Sequence, residues 1–390
     1  MFNETTTNSS EYQASRPTPP LTRTESPLIT NLNQAVQGVM LIHHTVPAAV
    51  PQIVAQYAGQ LTLPSAEAYD KLEPTLEQLG VHAYFDHHED RDHITIIKGR
   101  FNPKPRPWWP NALLLVLTLL SLLLVGASIQ AGIDDQELNS LADLQLWKGL
   151  PYALSMILIL GAHELGHYFA ARHHKVSVTL PYFIPMPLTL FGTLGAFIQL
   201  REPMRNRRQL FDVGVAGPLA GLFFAIPILF IGLATSNVET IPTNIDTMRE
   251  GNSLFYAAAK YTIFGQLLPD GNEDVFINQL AQAGWTGLFI TALNLIPLGQ
   301  LDGGHVLYSL FGNRARKLYW PLLGVFAVLA ILNSAWILWT VLLFFFGRVH
   351  AKPLEDITPL DSRRRLIGYL ALIILVLTFT PNPIQIVSAQ

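Results

Sequence analysis

Apolar positions alternate over short runs near the start of the chain and fuse into long runs from residue 111 onward. The first thirty residues hold no apolar run at all. Ser, Thr, Pro and Glu dominate "MFNETTTNSSEYQASRPTPPLTRTESPLIT", a composition that buries too little to order itself. Residues 1–33 are therefore predicted to be a disordered tail, with no signal peptide in it. From 34 to 101 the pattern is that of a small soluble α/β domain. "VQGVMLIHH" suits a strand. "VPAAVPQIVAQYAGQL" and "SAEAYDKLEPTLEQLG" suit helices, the second with Ser65 as its N-cap. "VHAYFDHH" and "HITIIKGRF" alternate around "EDRD" and predict a hairpin. Residues 102–110 form a Pro-rich linker whose Trp108 and Trp109 suit a membrane interface.

A helix of about 20 apolar residues crosses a bilayer core. Residues 111–130 meet that length, as do 150–173, 211–234 and 284–309. Residues 318–346 make either one tilted helix or a pair hinged near Asn333 and Ser334, and 366–380 make a short last span. Basic loops, holding Arg106, Arg172, Arg201, Arg207 and Arg316, alternate with acidic ones at 134–143 and 235–283. This predicts a cytoplasmic N-terminus. The basic residues Arg348 and Arg363–Arg365 beyond 346 favour the hinged pair. Between the second and third spans, residues 176–200 are apolar, yet Pro181, Pro185 and Pro187 forbid a regular helix. Both flanks are basic, so the segment is expected to enter the membrane and leave on the same side. Val176, Val178, Phe197 and Ile198 suit short strands in it. Irregular backbone at that depth must be covered by protein or line a wet cavity. The predicted fold class is a polytopic α-helical membrane protein of about six or seven spans, with a re-entrant β-like loop and a small N-terminal soluble α/β domain. Its membrane core covers 111–350, followed by a C-terminal membrane helix and tail at 351–390.

Composition narrows the chemistry. Apolar residues make up 50% of the chain and charged ones 14%, against about 25% charged in soluble proteins. A net charge of −3 gives no reason to expect a nucleic-acid partner. With no cysteine present, any metal must be held by His, Asp or Glu.

The second span carries "LILGAHELGHYFAARHH", with His163, Glu164 and His167 in an apolar helix. A charge near the centre of a membrane helix costs ~2.5–3.5 kcal/mol on insertion scales, so such residues mark function. His163 and His167 lie four apart, on nearly one face and about 6 Å along the axis. Two imidazoles so placed can hold one metal ion, with Glu164 beside its water, the H-E-x-x-H arrangement of zinc peptidases. Catalytic zinc usually takes three protein ligands. The fourth span ends in "NLIPLGQLDGGH", which delivers Asp302 to the depth of the two histidines, and Gly303 and Gly304 permit close backbone approach there.

"HELGH" together with "NLIPLGQLDGG" resembles the site-2 protease family of intramembrane zinc metalloproteases, peptidase family M50. The second signature matches at Asn294, Pro297, Leu301, Asp302 and Gly303. The resemblance covers about residues 111–350. It implies one zinc ion per chain on His163, His167 and Asp302, Glu164 as catalytic base, and Asn294 as a donor to the oxyanion. It also implies that "FGTLGAF", around Gly192 and Gly195, lies along an extended substrate segment. Residues 271–288 and the soluble unit are most similar to the plant-plastid and cyanobacterial branch. The implied activity is endoproteolysis of transmembrane segments of other proteins in a lipid bilayer. The implied location is a bacterial cytoplasmic membrane, or a thylakoid for a cyanobacterial chain. A non-proteolytic scaffold or chaperone of the same family is the alternative, and intact His163, Glu164, His167 and Asp302 argue against it.

Other polar features read as structural. His82, His87, His88 and His93 surround a hairpin tip, where polar residues are expected. His43 and His44 end a strand. His173 and His174 extend a basic flank, and His305 is open to a supporting role near Asp302. "GVAGPLAG" at 214–221 reads as small-residue helix packing that could also adjoin the site.

Overall fold

The computed structural model describes residues 27–47, 51–134, 136, 140, 143–242, 247–348 and 352–387. The tail expected at 1–26 lies outside them. The N-terminal unit runs α1 (Pro27–Gln37), β1 (Met40–Pro47), β2 (Ile53–Leu61), α2 (Ser65–Gln78), β3 (Val81–His88) and β4 (Arg91–Lys98). Its four strands form one antiparallel sheet in the order β1-β2-β4-β3. Leu32 and Val36 of α1 and Leu72 and Leu76 of α2 share a single core with Tyr57, Phe85 and Ile96 of the sheet.

The sequence expectation differs here in three places. Residues 27–33, assigned to the tail, open α1. The strand expected from Val36 starts at Met40, because Val36 belongs to the last turn of α1. Residues 53–61, expected in a helix, form β2. Ala55 and Tyr57 turn inward while Gln60 is exposed, which is strand periodicity. The predicted hairpin holds: Glu89 and Asp90 take φ of 51° and 60°, the left-handed pair of a tight two-residue turn.

Next come α3 (Trp109–Ile133), α4 (Leu150–His173), a hairpin of β5 (Tyr182–Pro185) and β6 (Thr193–Phe197), and α5 (Arg207–Ala234). The hairpin runs from the end of α4 to the start of α5. Of the residues expected in strands, Phe197 closes β6, whereas Val178 makes only an isolated bridge to Leu200. The hairpin leans on α3, where Asn111 Nδ2 donates to the carbonyls of Leu180 and Pro181 and Ser121 Oγ donates to that of Gly192.

A cap follows at the opposite end of the helices: β7 (Asn237–Thr240), β8 (Thr247–Glu250), α6 (Leu254–Phe264) and β9 (Glu273–Phe276), with β7 paired to β9. Lys260, wholly buried, stands 3.1 Å from Asp274 and 3.6 Å from Glu250. The chain continues through α7 (Gln279–Asn294), α8 (Asp302–Phe311), a 3-10 stretch at Gly312–Leu318, α9 (Tyr319–Leu332), α10 (Ala335–Phe346) and α11 (Ser362–Thr378), and ends in β10 (Ile384–Val387), which pairs with β8.

Among the described residues, four helical runs are long and apolar enough to cross a membrane: 109–133, 146–173, 207–234 and 302–332. The protein is an integral membrane protein, mostly helical with small sheets. The span expected at 284–309 is broken. α7 stops at Asn294, and the chain turns through 295–301, where Pro297 lacks a donor and Gly299 has φ of 60°. The stretch 318–346 is the hinged pair, with Asn333 in an extended conformation between α9 and α10.

Small residues bring the central helices together. A Cβ on Gly166 of α4 would lie 2.6 Å from Ala216 O of α5, and one on Gly284 of α7 would lie 2.5 Å from Leu229 Cα of α5.

Candidate metal centre

α4 is mainly apolar up to its basic last turn, yet it carries His163, Glu164 and His167, and all three side chains are buried. Their direction is set by α5. A Cβ on Gly217 would stand 2.1 Å from His167 Nε2, and one on Gly221 would stand 3.2 Å from His163 Nδ1. The imidazoles therefore occupy two notches in α5, one per glycine. His167 Nδ1 lies 2.7 Å from the Val213 carbonyl. That carbonyl can only accept, so Nδ1 carries the proton and Nε2 presents its lone pair.

Asp302 comes from the other side. It is the first residue of α8, where a carboxylate is favoured by the helix dipole. It reaches the histidines because α8 starts hard against the preceding loop: a Cβ on Gly303 would lie 1.8 Å from Leu295 O. His163 Nε2 is 3.1 Å from Asp302 Oδ2, and His167 Nε2 is 3.2 Å from Asp302 Oδ1. The two rings are 4.9 Å apart and nearly edge to face. One ligand atom from each of the three residues falls within 4.8 Å of the others, and this is the only such group of three among the described residues.

Two ligand atoms ~2.0 Å from a tetrahedral zinc ion lie about 3.3 Å apart. The imidazole–carboxylate separations of 3.1 and 3.2 Å fit that spacing. The donor set, two nitrogens and one oxygen with a fourth direction open, fits a catalytic rather than a structural zinc site. Asn294, the last residue of α7, puts Nδ2 3.4 Å from His163 Nε2. Glu164 faces a cavity of about 80 Å³ that it shares with His163, Asn294, Thr193 and Gly195.

Of the residues singled out in the sequence, His163, Glu164, His167, Asn294 and Asp302 thus converge. Gly195, with φ of 101°, lines the same cavity. Gly192 does not; it packs on α3, where a Cβ would stand 3.2 Å from Leu122 Cδ2. The hairpin histidines pair locally, His87 with Asp92 and His88 with Asp86, and His82 bonds the Gly99 carbonyl. His174 pairs with Asp212 of α5 at 2.9 Å, and His305 packs against Gly214. The sequence reading left 214–221 mainly to helix packing. The usable signal was spacing: Gly217 and Gly221 repeat the four-residue interval of His163 and His167.

Residues 151–331, from α4 to α9, match the model of peptidase family M50. Through that segment the chain belongs to peptidase family M50. The M50 segment holds all three residues of the metal centre. Curated relatives extend the similarity to the N-terminal unit. The chain is 29% identical over 346 residues to "Probable zinc metalloprotease EGY2, chloroplastic" of Oryza sativa subsp. indica, covering 86% of this chain and 62% of that protein. The Arabidopsis thaliana protein of the same name is 28% identical over 339 residues, covering 84% and 60%. "Probable zinc metalloprotease EGY1, chloroplastic" of Arabidopsis thaliana is 31% identical over 309 residues, covering 72% and 54%. The chain thus spans less than two thirds of the length of these relatives.

Proposed function

We propose that this M50 protein is a zinc metalloendopeptidase that cuts transmembrane segments of other membrane proteins. The observation that carries the reading is the convergence of His163, His167 and Asp302 on one point, with Glu164 and Asn294 beside it. His163, His167 and Asp302 would hold one zinc ion. Zinc in such a site supplies an acidified water and polarises a carbonyl. Glu164 takes the proton of the attacking water and hands it to the leaving amine. Asn294 Nδ2 donates to the charge that develops on the carbonyl oxygen. Val213, Gly217 and Gly221 keep the imidazoles from turning.

The substrate must be extended to react, because a helical amide is enclosed by its own turns. β6 is paired only with β5 among the described strands, so its other edge is free to take an added strand beside Gly195 and Glu164. On this reading the β5–β6 hairpin is re-entrant, and the end carrying Arg172, Arg201 and Arg207 is cytoplasmic. The N-terminus lies on that side of a bacterial cytoplasmic or thylakoid membrane.

The test is cleavage of membrane peptides by purified protein in lipid. Glu164→Gln is expected to keep its zinc and lose activity by roughly 10²–10⁴-fold, whereas His163→Ala loses both. Cleavage that survives Glu164→Gln overturns the hydrolytic assignment. Zinc-loaded wild type that cuts nothing points instead to a scaffold.

A further inference from the structure

The face of α4 opposite the metal centre borders a second, larger space. A groove of about 600 Å³ runs between α3 and α4, lined by Leu115, Leu158, Gly161, Leu165, Phe183 and Phe224. It is almost wholly apolar. At the end where α3 begins and α4 finishes, it adjoins a second pocket of about 310 Å³. Trp108, Asn111 and Leu180 line both, so the two adjoin.

The second pocket has the opposite chemistry. Arg106 of the linker, Arg172 of the last turn of α4 and Arg201 of the loop before α5 all line it, and no carboxylate does. Arg106 donates to Gln199 Oε1 and Arg201 to the Lys104 carbonyl, both neutral acceptors. A guanidinium has five N–H donors, so most of their bonding capacity is unspent. Three arginines lining one pocket, with the nearby Glu202 carboxylate engaged by the Ser177 backbone N–H and outside the lining, favour an anion, and the planar fork matches phosphate oxygens. Tyr168 and Trp108 complete a polar and aromatic rim of the kind found at headgroup depth.

We propose that these adjoining pockets bind one anionic phospholipid, its phosphate among Arg106, Arg172 and Arg201 and an acyl chain in the groove between α3 and α4. Charge selects the headgroup and the groove selects a chain. A zwitterionic lipid would satisfy the groove alone, and a free phosphate the arginines alone. The site does not depend on the hydrolytic reading, since none of its residues belongs to the metal centre.

The experiment is native mass spectrometry of the full chain released from detergent, with equimolar phosphatidylglycerol and phosphatidylcholine. Wild type is expected to retain one phosphatidylglycerol in preference to phosphatidylcholine by on the order of tenfold. Arg106→Gln with Arg172→Gln should bring that ratio close to one, while tryptophan emission and monodispersity report an intact fold. Gly161→Leu should lower retention of both lipids, because a Cβ at Gly161 meets nothing within 4 Å and the side chain would grow into the groove. Equal retention of the two lipids by wild type, as a protein helix filling the groove would give, overturns the proposal. So does an undiminished preference in the double variant, or displacement of the lipid by glycerol 3-phosphate at equal concentration.

Discussion

At Gly217 the protein has no room for a single methyl group, since a Cβ there would stand 2.1 Å from His167 Nε2. The obstruction falls on the nitrogen that faces Asp302, so relief requires either a turned imidazole or a displaced α5. A turned ring also gives up the 2.7 Å bond to the Val213 carbonyl. Gly217→Ala is therefore expected to cost about 1–3 kcal/mol, as overpacking does, and to drop zinc well below one ion per chain by elemental analysis. Gly324→Ala in α9, where a Cβ meets nothing within 4 Å, is the matched control and should keep its zinc. Equal zinc in the two variants would show that the notch does not position His167. The residue scale also shows what a sequence can reveal. His163 and His167 were legible because a four-residue interval on a helix fixes their common face by itself. Asp302 was legible because its motif resembles a known one. The notches carry only a shared four-residue interval in the sequence, because a notch is a property of two helices and takes shape once α5 lies across α4.

Among elements, the helices were easier to read than the strands and breaks. Long apolar runs force helix formation in a bilayer, where every backbone donor must be satisfied within the segment, and α3, α4 and α5 follow that rule. β2 was misread because a run such as "VPAAVPQIVAQYAGQL" has enough apolar residues for either period, and its pairing with β1 and β4 decides the outcome. The sequence predicts one span over 284–309. The break between α7 and α8 is an interruption within one course along α5, with Gly287 beside Ala225 and Gly312 beside Arg207, that lets two helix ends, rather than one helix, supply Asn294 and Asp302. Helix ends also give an element-scale prediction. Asp361 caps α11, its carboxylate accepting from the Arg364 backbone N–H at 3.0 Å and from the Arg364 guanidinium. The backbone bond first, then the guanidinium, holds its carboxyl down at about 2, against about 3.9 for a free Asp. A carboxyl lowered in the folded state stabilises fully above its unfolded value. The cap therefore contributes in full above about pH 4 and is lost as pH falls toward 2. Hydrogen-exchange protection at the first turn of α11, taken relative to the intrinsic rate at each pH, should fall over that window. Asp361→Ala should remove the acid-dependent step and lower local protection at neutral pH by about 1 kcal/mol. A step that persists without the carboxylate would mean another group controls this end of the helix.

For the molecule as a whole, the question is how the N-terminal sheet is tied to the metal centre. β3 is an edge strand of the N-terminal sheet, and an open edge invites pairing. Residues 354–356, between α10 and α11, take that edge. Phe85 N donates to Leu354 O at 2.7 Å and Asp356 N to Phe85 O at 3.0 Å. On its other side the same segment bonds to the stretch leading into α5, Leu354 N to Met204 O and Glu355 N to Arg205 O. Asp356 then receives Arg207 Nε of α5 and Tyr308 Oη of α8, each at 2.7 Å. The segment thus joins the sheet to the two helices that shape the metal site. None of this was legible in the sequence, since Ser65 and Glu355 meet across 290 positions. Glu355 is the vulnerable point. It is buried, and its Oε1 accepts from Ser65 Oγ at 2.7 Å, Ile357 N at 2.9 Å and Thr358 N at 2.7 Å. Glu355→Ala strands all three donors, at about 1–3 kcal/mol for each one left buried and unpaired. The interface should open rather than hold such a cost, freeing the already exposed stretch between β4 and α3 to adopt the extended, mobile conformations a protease needs. Limited proteolysis there is expected to speed up by at least about tenfold, the equivalent of some 1.4 kcal/mol of easier opening, while zinc content stays at the wild-type level. Glu355→Gln keeps one accepting oxygen and should fall between the two. A linker cut no faster in Glu355→Ala would mean that the remaining contacts, Arg205 with Asp70 and Glu73 and Lys352 with Asp86, hold the sheet in place by themselves. A loss of zinc in the same variant would show instead that the segment supports the metal centre directly through Asp356.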